Sequence, residues 1–194
     1  MKRQQKLLLI TALLFAAPLL LAIALYIKPG LIQFGAKNHG LLVTPARPLD
    51  TIRLSVGDET KDKTMFEGKW TWTTFIEGPC AEVCAEQLYK SRQVRLALGK
   101  DMDRGQRLLV QVGEPAALAP ELLEAHPDLI VAKADSSSAW LPQFHVDGDA
   151  LNTDNLYLVD PLGNLMIYYP PSIEGPKILK DIQRLVRVSW IKPK

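Results

Sequence analysis

Between Leu7 and Ile27 the chain reads LLLITALLFAAPLLLAIALYI, 21 residues without a charge. At about 1.5 Å rise per residue, a helix of that length crosses a hydrocarbon layer of roughly 30 Å. Pro18 falls mid-span, where neighbouring groups in lipid can satisfy the carbonyl it frees. Ala22-Ile23-Ala24 has the small-x-small form of a signal-peptide cleavage site. The run nevertheless exceeds the roughly 7 to 15 residues of a signal core and continues through Leu25, Tyr26 and Ile27, which favours a retained anchor. Lys2, Arg3 and Lys6 precede it and only Lys28 follows closely, so the positive-inside bias puts the N-terminus in the cytoplasm. The sequence therefore predicts a cytoplasmic segment 1–6, a transmembrane helix 7–27, a tether with edge strands over 28–65 and a globular domain over 66–194, the last on the far side of the membrane.

All 21 acidic residues, and all but Lys2, Arg3 and Lys6 of the 23 basic ones, follow residue 27, so the exported part is close to neutral. That balance argues against a nucleic-acid partner. An oxidising compartment makes cysteine pairs meaningful. Two cysteines are too few to build a disulfide scaffold, so the domain must rely on a hydrophobic core.

Along the exported part, Gly30, Gly35, Gly40, Pro45 and Pro48 break any long element, and LDTIRLSV (49–56) alternates like an edge strand. WTWTTFI (70–76) is rich in aromatic and β-branched residues and reads as an interior strand. A helix follows over 81–98, closed by Gly99. RLLVQV (107–112) is a second interior strand, a short helix has Pro120 in its first turn, and DLIVAKA (128–134) is a third strand. A polar stretch over 136–154 leads to a hairpin, 155–159 and 165–169, turning on Asp160 to Asn164. A last helix spans 175–188. This order is α/β and thioredoxin-like, with a mixed central sheet flanked by helices, preceded by one N-terminal transmembrane helix.

Both cysteines lie in FIEGPCAEVC, between the first interior strand and its helix. Cys80 and Cys84 stand four apart, near a helix N-terminus whose free N–H groups and dipole favour a thiolate. A thiolate is both the nucleophile of disulfide exchange and a soft metal ligand, so the pair suits redox or copper chemistry. A structural disulfide across so short a loop would contribute only about 2 kcal/mol. The spacing also admits two inert buried thiols or a zinc site. Zinc lacks a second ligand pair, because His126 and His145 are far apart and His39 lies near the membrane. Asp147, Asp149 and Asp154 lack the ligand series of an EF-hand. The four tryptophans fit core packing or the membrane interface.

The stretch GKWTWTTFIEGPCAEVC, together with the anchor, the hairpin LYLVDPLGNL and the terminal helix, resembles the SCO/SenC family over about residues 65–188. Members are membrane-anchored thioredoxin-fold proteins that deliver copper to, or reduce cysteines of, cytochrome c oxidase subunit II. The resemblance implies a bacterial inner-membrane protein with a periplasmic domain, acting in oxidase assembly with subunit II or another assembly factor. It implies Cys80 and Cys84 as the exchange pair or as ligands to Cu(I). The family's third copper ligand is a histidine about five residues before the hairpin tyrosine. Counted back from Tyr157, that place is Asn152, a poor copper ligand beside imidazole. His145, seven residues earlier, is the substitute ligand on offer. The family's Asp-Pro-(Glu)-Arg segment after the second strand is also replaced, by VQVGEPAALAP. These departures shift the expectation toward thiol–disulfide exchange, an oxidoreductase activity, or two-coordinate Cu(I) holding. The reading from a different class is a non-catalytic assembly factor with a structural Cys80–Cys84 staple.

Overall fold

The computed structural model describes residues 3–27, 38–146, 148 and 150–191. Two compact units divide the chain, one ending at Lys37 and one beginning at Asn38. In the first, helix α1 (Arg3–Ile27) is, among the described residues, the one helix long and apolar enough to cross a membrane, with a mean hydropathy of 2.7 over its most apolar 18 residues. Met1, Lys2, the segment 28–37, Asp147, Asp149 and residues 192–194 lie outside the described residues. The first ten residues of the tether and edge strands expected over 28–65, and two of the aspartates weighed for calcium, therefore lie outside them too.

The second unit is built on an eight-stranded mixed sheet. Its centre is β4 (Trp70–Ile76), every residue of which is buried, as expected for a strand covered on both faces. β5 (Gly105–Val112) pairs with it in parallel and β6 (Leu129–Ala134) pairs in parallel with β5. On the other side β7 (Leu156–Val159) runs antiparallel to β4 and closes a hairpin with β8 (Asn164–Tyr169). The hairpin turn is organised by Asp160, whose Oδ1 accepts the N–H groups of Leu162 and Asn164 at 2.9 and 2.8 Å, while Gly163 takes a φ of 80°. Residues 41–61 supply both edges: β1 (Leu41–Pro48) pairs with β8, and β2 (Leu54–Val56) pairs with β6 and with β3 (Glu59–Lys61).

The strand expected over 49–56 is confined to its last three residues. Leu49 donates its N–H to the Gly163 carbonyl and Ile52 donates back to Leu49, so the chain turns there and buries both side chains. The alternation that suggested a strand is the spacing of these two anchors and Leu54.

Helix α2 (Glu82–Ala97) follows β4, α3 (Pro120–Ala125) follows β5, and α4 (Gly175–Val188) ends the fold. One core, containing Phe75, Leu108, Val110, Phe144 and Tyr157, fills one side of the sheet. A second, containing Trp72, Val94, Ile167, Ile178 and Ile182, joins α2 and α4 to the other. His39 and Gly40, at the start of this unit, are fixed by a buried carboxylate on α4. Asp181 accepts the His39 N–H at 2.8 and 3.0 Å and the Gly40 N–H at 2.9 Å. Only glycine fits at position 40, because a Cβ would collide with the side chains of Ile167 and Tyr169.

Candidate functional site

Because β4, β5 and β6 are parallel, their C-terminal ends and the start of antiparallel β7 meet at one end of the sheet. Ligand and catalytic groups of open α/β sheets collect at such an end. Here it gathers the loop after β4 with Cys80, the loop 113–119 after β5, and the segment running from β6 to β7.

Cys80 and Cys84 form a disulfide, with 5.3 Å between their Cα atoms. Cys80 sits one residue before the cap position Ala81, and Cys84 lies in the first turn of α2. Ala81 offers no side chain to cap the helix, so the first-turn N–H groups and the positive end of the dipole stay available to a nearby anion. Cys84 is buried, whereas Cys80 is half-buried. Both pack on an apolar cluster of Ile76, Leu88 and Leu109, with Leu118 and Leu122 at its margin. Gly78, with a φ of 84°, lets the chain turn from the strand toward the pair.

Two side chains that the sequence reading did not single out hold α2 in place. Arg107, on β5 and 0% exposed, donates to Ser91 Oγ at 3.1 Å and to the Leu88 carbonyl at 2.6 Å. It also donates to Asp128 Oδ1 at 3.0 Å and meets His126 Nδ1 at 3.1 Å. A charge so deeply buried persists only with partners of this kind. Burial lowers the Arg107 pKa, against the raising effect of Asp128. Burial, then the Arg107 charge, pushes the His126 imidazole down from its ordinary value. Gln87, likewise buried, donates to the Asp154 carbonyl at 2.8 Å and so ties α2 to the loop before β7. An arginine opening a strand read as interior was the one available sequence signal for this network.

The expected histidine position behaves as an amide should. Asn152 is exposed, and its Oδ1 accepts the Asp154 N–H at 2.9 Å in a local turn. Its carbonyl accepts the Tyr157 hydroxyl at 3.0 Å. His145 lies at the same end of the sheet and shares with Glu77 and Ser136 the lining of a cavity of about 370 Å³. The segment around it, read only as a polar stretch, is fixed at this residue: Arg47 donates to the carbonyls of Gln143 and His145, both at 2.7 Å. Phe144 is locked against Phe75, with ring centroids 4.7 Å apart. Among the described residues no three His, Cys, Asp or Glu side chains cluster as a metal site, so His145 does not join the cysteines. The residues present do not fit a Cys₂His copper centre.

A cysteine pair at a strand-to-helix junction of a mixed sheet defines the thioredoxin-like class. Residues 70–189 match the family described as transmembrane-like, thioredoxin-like, C-terminal domain, and the chain belongs to that family. No curated protein matches its sequence. Among solved structures it is similar to apo Sco1 from Thermus thermophilus, at 19% identity and a TM-score of 0.58 over 76% of this chain and 96% of that one. It is similar to copper-bound yeast Sco1, at 16% identity and a TM-score of 0.59 over 77% and 93%. A third likeness is to a SCO1/SenC family lipoprotein of Bacillus anthracis, at 17% identity and a TM-score of 0.53 over 74% and 98%. The SCO-type thioredoxin fold read from GKWTWTTFIEGPCAEVC is thus the fold of this chain.

Proposed function

We propose that this protein is a membrane-anchored, periplasm-facing thiol–disulfide exchange protein that assists cytochrome c oxidase assembly through Cys80 and Cys84. The observation that carries the reading is the disulfide itself, placed at the helix N-terminus with one sulfur on the accessible side. In the reduced form, the Cys80 thiolate attacks a client disulfide, forming a Cys80–client bond and releasing a client thiolate. Cys84 then attacks Cys80 Sγ, restoring the Cys80–Cys84 disulfide and releasing the second client thiolate. Two electrons pass to the client, which takes up two protons. Greater burial of Cys84 supports its role as the resolving thiol. The N-terminus lies in the cytoplasm and the inner membrane holds α1, as the distribution of Lys2, Arg3 and Lys6 supports.

Cu(I) is the second cargo this pair suits. Two reduced thiolates provide a soft, two-coordinate set, and the local commitment of Asn152 to Asp154 favours that over a three-ligand site. The client is then subunit II or another assembly factor, as in the family that the fold resembles.

A redox titration with thiol alkylation tests the exchange reading. The expected reduction potential lies above the roughly −300 mV below which structural disulfides fall. Oxidase assembly is expected to fail in Cys80→Ser and Cys84→Ser. A potential well below that mark together with normal assembly in both variants would instead establish the pair as a staple in a non-catalytic factor.

A further inference from the structure

Helix α4 is finished by a side chain from another part of the fold. The Arg104 guanidinium donates to the carbonyls of Val186, Ser189 and Ile191 at 2.8, 3.0 and 2.9 Å, so the chain beyond the helix is held in place. What it holds out is Trp190, 97% exposed, beside Val188 at 64%. The other tryptophans, Trp70, Trp72 and Trp140, are all 5% exposed or less. An isolated exposed apolar residue is ordinary. An indole fixed at nearly full exposure by three hydrogen bonds to its flanking backbone is not, and the core gains nothing from it.

The surroundings are basic. Two adjoining grooves, of about 530 and 430 Å³, share Arg104 and Arg187; Lys100 lines the larger and Trp190 the smaller, and Asp101 is the only carboxylate among the described residues that line either. The outward residues Lys180, Arg184 and Arg187 continue this charge along α4. From Ile182 to Lys194 the sequence holds four basic residues, Arg184, Arg187, Lys192 and Lys194, and no acid, in a domain whose other residues carry more acidic than basic groups.

An indole beside cationic side chains matches the headgroup region of a bilayer. The amphipathic ring settles at the apolar–polar boundary and each Lys or Arg is drawn to anionic lipid. Such a surface is at hand, because the chain carries its own membrane-spanning candidate. Ten residues, 28–37, separate that helix from Asn38, and the next two residues, His39 and Gly40, are bound by Asp181 of α4 itself. We propose that the C-terminal end of α4, with Trp190 as its apolar contact and Lys100 and Arg187 as its cationic ones, docks onto an anionic phospholipid surface. This is independent of what the cysteine pair does.

The tryptophan distribution supplies the probe. Residues 1–37 contain no tryptophan, and the other three are shielded, so bromine on the upper acyl chain quenches Trp190 selectively. The full chain is placed in nanodiscs of brominated phosphatidylcholine, with or without a third phosphatidylglycerol. Quenching is expected in the anionic discs, weaker in the zwitterionic ones, and lost in Trp190→Phe. Lys100→Glu and Arg187→Glu, both exposed, are expected to lower the docked-to-undocked ratio by about fivefold or more each. Equal emission in the two disc types, or quenching that survives in Trp190→Phe, overturns the proposal. So does a Trp190 that stays unquenched in discs and is covered only by an acidic protein.

Discussion

The side-chain amide of Gln87 donates to the Asp154 carbonyl at 2.8 Å, joining the helix that carries Cys84 to the loop that leads into β7. Gln87→Ala removes the donor and leaves a void at a position 1% exposed. A loss of about 1–3 kcal/mol is expected in chemical denaturation. Amide exchange at residues 154–156 should accelerate more than in the rest of the sheet. Unchanged exchange there would mean that the bond does not position the loop.

Asn152 occupies the place where the SCO family would present an imidazole. In the reduced chain, Asn152→His is expected to create a Cu(II)–thiolate absorption band that the unaltered protein lacks, because imidazole completes a soft ligand set with two thiolates. If both proteins keep two alkylatable thiols and neither shows the band, residue 152 is not within reach of the sulfurs.

Acid should weaken the fold through His126. Its folded pKa lies below the ordinary 6.5, because of burial first, then the charges of Arg107 and Arg92. An unfolded histidine takes up a proton near its ordinary value, while the folded one waits for lower pH. The unfolded state therefore binds more protons, and stability, undiminished above about pH 6.5, falls as pH drops below it. The urea midpoint should decline between pH 7 and 5.5, and decline less in His126→Gln relative to that variant's own value at pH 7. Parallel declines would assign the acid sensitivity to other groups.

Asp181 accepts the N–H groups of both His39 and Gly40 from a site 2% exposed. Asp181→Asn keeps the shape, loses the charge and turns half of the acceptor into a donor. A destabilisation of about 1.5–3 kcal/mol is expected, the range for hydrogen bonds to a charged group. Proteolysis should also become faster within β1. If cleavage in residues 38–48 is no faster than before, the carboxylate is not what holds this end of the domain.

The interior of the fold was legible because its signals are local. A run such as WTWTTFI can only be a covered strand, and the hairpin turn is written in Asp160 and Gly163. Periodicity does not distinguish a strand from a turn with two buried anchors, which is why Leu49 and Ile52 read as strand. The cysteine pair was legible from spacing and from what flanks it. What surrounds it was not: Gln87 and Asp154 are 67 residues apart, and Arg107 meets Ser91, His126 and Asp128 only once β5 lies beneath α2. His145 read only as part of a polar stretch. The residue that fixes its backbone, Arg47, is 98 positions away.

Both sheet edges come from residues 41–61, yet β1 has its partner in β8, with Leu41 opposite Tyr168, and β2 rests on β6. Chains emerge and fold from the N-terminus, and contacts between distant positions close late. The first part of this domain to be made is therefore the last able to dock. Until the β7–β8 hairpin has been synthesised, β1 has unpaired backbone groups and no neighbour in the sheet. The fold is sealed by its end returning to its beginning.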